Sequence, residues 1–222
     1  MFDNIAPWYD FLNHFLSLGI DISWRKKAIR RLKPLQPKSI LDVATGTADL
    51  AIEANRQLSP ERVVGIDISN EMLEVGRKKL NRKQLSSTIQ LLLGDSENIA
   101  FPDNTFDAAT VAFGVRNFEN LEKGLKEINR VIKPGGKLIV LEFSKPTMFP
   151  FKQLYDFYFK NILPTIGRLT SKDPKAYSYL YESVQAFPDG KDFVKVLERT
   201  GFQSATHKAL TLGVCSIYEA DK

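Results

Sequence analysis

A single cysteine, Cys215, stands among 222 residues, which excludes an internal disulfide and any cysteine-pair metal site. Histidine is nearly as scarce. His14 and His207 lie far apart and neither falls in a metal-ligand pattern, so no metal is expected. Long apolar runs are missing too: stretches such as Leu138 to Phe143 are strand-sized, far short of the roughly 20 residues a membrane-spanning helix needs. No charged-then-apolar leader precedes Ile5, and a cytoplasmic location is expected. Neither sign of charge dominates. Lys and Arg number 31 against 26 Asp and Glu, and the formal charge of +5 suits solubility, an anionic membrane surface or nucleic acid. No recognised nucleic-acid motif interleaves the basic residues, so no nucleic-acid partner is expected.

What is present is the composition of an ordinary globular domain, 43% apolar and 26% charged, in a chain long enough to bury one large core. From residue 38 onward, short runs rich in Ile, Leu, Val and Phe alternate with amphipathic segments. Ser39 to Val43, Arg62 to Ile68, Thr88 to Leu93, Phe106 to Phe113 and Lys137 to Phe143 read as strands buried on both faces. Thr47 to Leu58, Asn70 to Asn81 and Leu121 to Ile132 read as the helices between them. Such an alternation predicts a doubly wound α/β fold, a mostly parallel sheet with helices on both faces. Pro134-Gly135-Gly136 should end the third helix and turn the chain into the fifth strand. Phe202 to His207 and Gly213 to Ala220 should close the sheet as an antiparallel hairpin.

The single domain then divides into a helical segment at 1–37, a core at 38–145, an aromatic-rich helical region at 146–200 and closing strands at 201–222. The first segment carries Phe2, Ile5, Trp8 and Leu12 at helical spacing, followed by the basic run Arg25-Lys26-Lys27 and Arg30-Arg31. Residues 149–187 hold ten of the 24 aromatic residues, which serve either as packing against the sheet edge or as a lid over an apolar substrate.

In open α/β sheets ligands bind beyond the carboxyl ends of the strands, near the switch point. The loop after the first strand reads Asp42-Val43-Ala44-Thr45-Gly46-Thr47-Ala48-Asp49. Gly46 allows close approach of the backbone, and the following helix offers N–H groups to an anion. The phosphate-clamping Gly-x-Gly-x-x-Gly pattern is absent, because Ala44 and Asp49 occupy its first and third slots. Asp42 and Asp49 instead suit a ligand bearing an ammonium and a sulfonium. Asp67 ends the second strand, where a carboxylate can accept both ribose hydroxyls. Asp95 and Ser96 end the third, at the same rim, where an acid can accept from an adenine amino group. Each acid alone reads equally as a helix cap or turn residue; together they favour an adenosine-type ligand.

These loops, with Pro134-Gly135-Gly136-Lys137, resemble the motifs of class I S-adenosylmethionine-dependent methyltransferases over roughly residues 38–143. Tyr9-Asp10-Phe11-Leu12-Asn13 with Trp24, Phe113-Gly114-Val115-Arg116-Asn117-Phe118, and Arg130 to Gly136 through Leu141-Glu142-Phe143-Ser144-Lys145-Pro146 resemble the ubiquinone/menaquinone biosynthesis C-methyltransferase family, and the likeness spans nearly the whole chain. The sequence departs from that family at Leu12 (usually Met), Asp21 (usually His), Ala44 and Ala48 (commonly Gly).

The resemblance implies S-adenosylmethionine as cofactor, held by Thr47, Asp67, Asp95 and Ser96 with Asp42 and Gly46 shaping the loop. It further implies C-methylation of a prenylated quinol, demethylmenaquinol before the benzoquinol precursor of ubiquinone. Arg116 and Asn117 would face the quinol as catalytic residues, although an Arg there equally reads as a surface residue capping a helix end. Arg116 with Asn117 would stabilise the developing quinolate and orient a water as base; His14 is a weaker base candidate that reads equally as a solvated surface residue. A quinol that lives in the bilayer suggests peripheral contact with the inner face of the membrane, aided by the basic run. Methylation of another small apolar metabolite, a nucleic-acid protein or a cofactor-binding protein without catalysis are the competing readings; the intact acids at three strand ends argue against the last.

Overall fold

The computed structural model describes residues 19–157 and 175–222. The expectations placed on residues 1–18, His14 among them, and on the part of the aromatic stretch at 158–174 lie outside the described residues. Seven strands form one sheet: β1 (Ser39–Val43), β2 (Arg62–Asp67), β3 (Ile89–Leu93), β4 (Phe106–Ala112), β5 (Ile132–Phe143), β6 (Gln203–Leu210) and β7 (Cys215–Asp221). Their spatial order is β3-β2-β1-β4-β5-β7-β6. The first five run parallel, while β7 and β6 add antiparallel to β5 and to each other.

The sequence explains the layering. All five residues of β1 are buried, as a central parallel strand with both faces covered requires. Successive residues point to opposite faces, so Leu41 and Val43 join one core cluster and Ile40 another. On the first face α4 (Leu121–Val131) inserts Leu125 and Ile128, and α7 (Lys191–Arg199) inserts Phe193, Val196 and Leu197. On the second face lie α1 (Ile20–Arg30), α2 (Asp49–Leu58) and α3 (Asn70–Lys83), which contribute Ile29, Leu50, Ala51, Ala54, Leu73 and Leu80. Two further helices, α5 (Phe151–Phe157) and α6 (Lys175–Ala186), come from the aromatic region.

One expectation is corrected at the start of β5. Helix α4 ends at Val131, and Pro134-Gly135-Gly136 lies within the strand instead of before it. Ile132 already pairs with Phe106, and the register then jumps so that Lys137 pairs with Ala108. The intervening residues bulge out of the ladder. Gly136 permits this because a Cβ there would stand 2.5 Å from the Asp107 carbonyl oxygen, and Gly135 has φ +78. The order of strands also matters for function: β2 and β4 flank β1 on opposite sides, so the connections leaving β1 and β4 part company and open a crevice between their carboxyl ends.

Candidate functional site

The crevice is lined by Ala44, Gly46, Asp67, Asp95, Ser96, Phe113, Gly114, Asn117 and Phe118 among others, and encloses about 290 Å³. Loops after β1, β2, β3 and β4 therefore meet in one cavity. A narrower extension of about 30 Å³ shares Ala44, Gly46, Ala112 and Phe113 with it and continues past Asp42, Thr47 and Asp49 to Arg25 of α1.

The β1 loop is wound tightly. Ala44, Gly46 and Ala48 all have positive φ, at 52, 54 and 69. Glycine commonly occupies the first and third of these positions in the family that the sequence resembles, and the left-handed backbone supplies the reason. A Cβ at Gly46 would meet no atom of a described residue beyond its chain neighbours within 4 Å, which leaves the cradle open among the described residues. Gly114 brings the β4 turn against this loop so closely that a Cβ there would lie 2.5 Å from the Ala44 Cβ.

Asp67 organises the loop from the neighbouring strand. One carboxylate oxygen accepts the Gly46 N–H at 2.8 Å and the other the Ser69 N–H at 2.9 Å. Each oxygen thus accepts one backbone N–H, and Asp67 also lines the cavity. Asp95 accepts the Glu97 N–H at 2.8 Å and faces the same cavity.

Asp42 is buried beneath the loop and accepts from the Thr45 and Thr110 hydroxyls, both at 2.6 Å. It thereby ties β1 to β4 at the point where the crevice opens. Burial outweighs these hydrogen bonds and, with the nearby Asp67 charge, pushes its carboxyl from the ordinary 3.8 up to about 6. The folded state then binds this proton more tightly than the unfolded chain, so the group's stabilisation is full below about pH 4 and lost as pH rises through 6. The difference in unfolding free energy between the protein and Asp42→Asn is expected to change by roughly 3 kcal/mol from pH 3 to pH 7, the value for about two pKa units. Urea unfolding of both at four pH values checks this; parallel pH profiles would contradict it.

Thr47 and Asp49 share a cation that the sequence reading missed. The Lys79 ammonium on α3 donates to the Thr47 hydroxyl at 2.9 Å and to Asp49 at 2.7 Å. Arg25 was expected to add to a solvent-facing basic run. Instead its side chain is buried, paired with Asp21 at 2.6 Å and 3.6 Å from Asp49.

The two residues expected to face a substrate are placed differently. Asn117 lines the crevice, and its Oδ1 accepts the Tyr179 hydroxyl of α6 at 3.0 Å. The Arg116 guanidinium is not among the lining groups. Its Nη1 donates to Glu142 at 2.7 Å and to the Phe113 carbonyl at 2.6 Å, its Nε donates to Ser183 at 3.3 Å, and its backbone N–H donates to the second Glu142 oxygen. Glu142 is completely buried in β5. A short turn at Val115–Asn117 is thus clamped from below by an ion pair and from the side by α6.

A seven-stranded sheet with an antiparallel last pair, carrying at its switch point a glycine cradle and carboxylates at successive strand ends, defines a class I methyltransferase, the class that works with S-adenosylmethionine. The residues fit that cofactor: acids face the cavity where hydroxyl and amino donors would lie, and the Gly46 cradle leaves room for its backbone contacts. A methyltransferase structure from Thermotoga maritima has the same fold, with a TM-score of 0.68 at 17% identity, covering 99% of this chain and 98% of its own.

Sequence likeness is closer. The chain belongs to the ubiE/COQ5 methyltransferase family, whose model matches residues 1–222. It is 53% identical over 222 residues to a protein of Bacteroides fragilis named demethylmenaquinone methyltransferase, covering 100% of this chain and 91% of the relative. It is 47% identical to a Geotalea daltonii protein named ubiquinone/menaquinone biosynthesis C-methyltransferase, covering 100% of this chain and 94% of the relative.

Proposed function

We propose that this enzyme transfers the methyl group of S-adenosylmethionine to a ring carbon of a prenylated quinol, demethylmenaquinol in preference to the benzoquinol precursor of ubiquinone. The observation that carries the reading is the juxtaposition of the acid-lined cavity with the clamped Phe113–Phe118 turn, which sets Asn117 on the wall beside the cofactor space. The relatives' names favour the naphthoquinol.

Bound in the cavity, the cofactor supplies an electrophilic methyl group on a sulfonium. Asp67 accepts from the ribose hydroxyls, Asp95 with Ser96 meets the adenine edge, and Gly46 and Thr47 shape the path to the amino-acid end above Asp42. Residues in these positions would hold the donor on one side of the cavity, with Phe113 and Asn117 on the wall past which a ring carbon would approach, and most of the acceleration would come from that positioning. Carbon is a weak nucleophile until an adjacent hydroxyl gives up its proton. Asn117 Nδ2 would donate to the quinol oxygen while Tyr179 holds its Oδ1; the hydroxyl proton would pass to solvent, and after transfer the ring carbon would lose its own hydrogen as the oxygen is reprotonated, a net release of one proton. Arg116 acts one step back: its pairing with Glu142 and its bonds to the Phe113 carbonyl and Ser183 hold the turn in shape.

A peripheral contact with the inner face of the membrane completes the proposal. Among the described residues no helix is long and apolar enough to cross a bilayer. Large apolar side chains nevertheless stand exposed after β5 and in the β6–β7 turn, with Phe149 at 79%, Met148 at 62% and Leu212 at 56%. Phe143 pairs with Cys215, so the chain after β5 and the β6–β7 turn leave the sheet side by side. Aromatic residues of α5 and α6 would then cover the isoprenoid tail.

The test presents reduced demethylmenaquinone and the benzoquinol precursor in anionic liposomes and, in parallel, in detergent. Turnover with the naphthoquinol ahead of the benzoquinol, together with flotation of the protein with the liposomes, is expected. Silence on both quinols while calorimetry still detects cofactor would overturn the substrate assignment; turnover without flotation would overturn the membrane contact.

A further inference from the structure

The small extension of the crevice toward α1 has a charged end wall that neither the methyl-transfer chemistry nor the sheet requires. Arg25 forms it, with a residue exposure of 8%. Burying a guanidinium is costly unless its donors are used. Nη1 is used, by Asp21 at 2.6 Å and by Asp49 at 3.6 Å. No other nitrogen of this side chain donates to a described residue, and none is both unpartnered and sealed from solvent. The extension is lined by Arg25 together with Thr47 and Asp49, so the remaining donors lie beside this space.

The surroundings of this wall are balanced in charge. Asp21 and Asp49 oppose Arg25 and Lys79, with Asp42 behind the loop. A single anion or cation would gain little from such a wall, whereas a zwitterion presenting an ammonium to the acids and a carboxylate to the guanidinium matches it. A planar fork with parallel N–H groups is also the donor geometry that suits a carboxylate.

We propose that Arg25 is a specificity-determining residue that reads the carboxylate at the amino-acid end of the methyl donor, with Asp21 as the positioning residue that holds its guanidinium toward the cavity. The inference rests on the cofactor reading of the crevice. It gives α1 a function beyond packing, because Trp24 on the same helix is buried and donates to the Thr211 hydroxyl at 2.8 Å, which anchors the helix to the β6–β7 turn. Arg25 is thereby set on a rigid element at a fixed distance from the β1 loop.

Calorimetry with a ligand series isolates the carboxylate. S-adenosylhomocysteine carries the whole amino-acid end, decarboxylated S-adenosylmethionine lacks only the carboxylate, and methylthioadenosine lacks the end altogether. The wild-type protein is expected to bind S-adenosylhomocysteine at least about tenfold more tightly than the decarboxylated compound, as a charge-assisted pair provides. Arg25→Met should remove that preference while leaving the affinity for methylthioadenosine within about twofold. Arg25→Lys, which keeps the charge and guards against misfolding as the cause, should retain a preference. An Arg25→Met protein that keeps full discrimination, or that loses all three ligands equally while Arg25→Lys does the same, would overturn the proposal. Failure of the wild-type protein to bind any of the three would instead overturn the cofactor reading itself.

Discussion

Replacing Asp67 by alanine is expected to weaken S-adenosylmethionine binding by at least about 100-fold. The reasoning is additive over two roles. The carboxylate accepts the Gly46 and Ser69 N–H groups, so its loss loosens the β1 loop and leaves two donors without their partner. It is also the assigned acceptor for the ribose hydroxyls, and a hydrogen bond to a charged group contributes about 1.5–3 kcal/mol. Two such bonds amount to a factor on the order of 100 or more in affinity. Asp67→Asn keeps the shape and the loop contacts to one oxygen, but its amide nitrogen opposes a donor, so a smaller loss is expected. Isothermal titration of both variants checks the order; affinities within threefold of wild type would remove Asp67 from the binding site.

The second large effect falls on Glu142, which touches no ligand in this account. Glu142 and Arg116 form a pair in which the carboxylate is 0% and the guanidinium side chain 8% exposed. Removing one member of a buried pair strands the other charge and costs about 3–5 kcal/mol, whereas replacing both by apolar groups is often tolerated. Glu142→Ala is therefore expected to lose stability on that scale, and the double variant Arg116→Met/Glu142→Ala to recover part of it. Turnover separates the roles. Because Arg116 shapes the turn that carries Asn117, Glu142→Gln should lower kcat by about 100-fold, the scale expected when a positioned group moves by about 1 Å. The apparent affinity for the methyl donor should stay unchanged. Urea unfolding with single-turnover kinetics measures both; additive stability losses, or a Glu142→Gln variant with normal kcat, would show that the pair neither couples nor positions.

Much of the fold could be read from the chain because parallel strands buried on both faces leave a distinctive mark: continuous apolar runs such as Ser39–Val43 between amphipathic segments. Boundaries shifted where tertiary contacts decide them. Pro134-Gly135-Gly136 has the composition of a helix stop, and only the pairing of Ile132 with Phe106 shows that the chain is already in the sheet. Helix α7 falls inside the region expected to be helical at 146–200, but its bounds were not set, because nine residues give a short window for periodicity.

The candidate site divides the same way. Asp42, Asp67 and Asp95 were visible because strand ends deliver residues to one rim whatever the details of packing. The partners that clamp the site come from far along the chain: Glu142 lies 26 residues from Arg116, Tyr179 lies 62 from Asn117, and Ser183 lies 67 from Arg116. One of them had a trace in the sequence. A lone carboxylate inside the run Leu138 to Phe143 demands a buried cation, and Arg116 is that cation. Arg25 shows the opposite case, since its place in a basic run suggests a solvated face and the structure turns it inward.

The central claim is methylation at carbon of a prenylated naphthoquinol, and its most direct test is to locate the transferred methyl group. Purified protein would be incubated with S-adenosylmethionine carrying a deuterated methyl group and with reduced demethylmenaquinone, and the product examined by carbon NMR and tandem mass spectrometry. The account predicts the label on the vacant ring carbon beside the prenyl-bearing position, with both ring oxygens unmodified. Label found on a ring oxygen, or cofactor bound and no label transferred to the quinol, would contradict it.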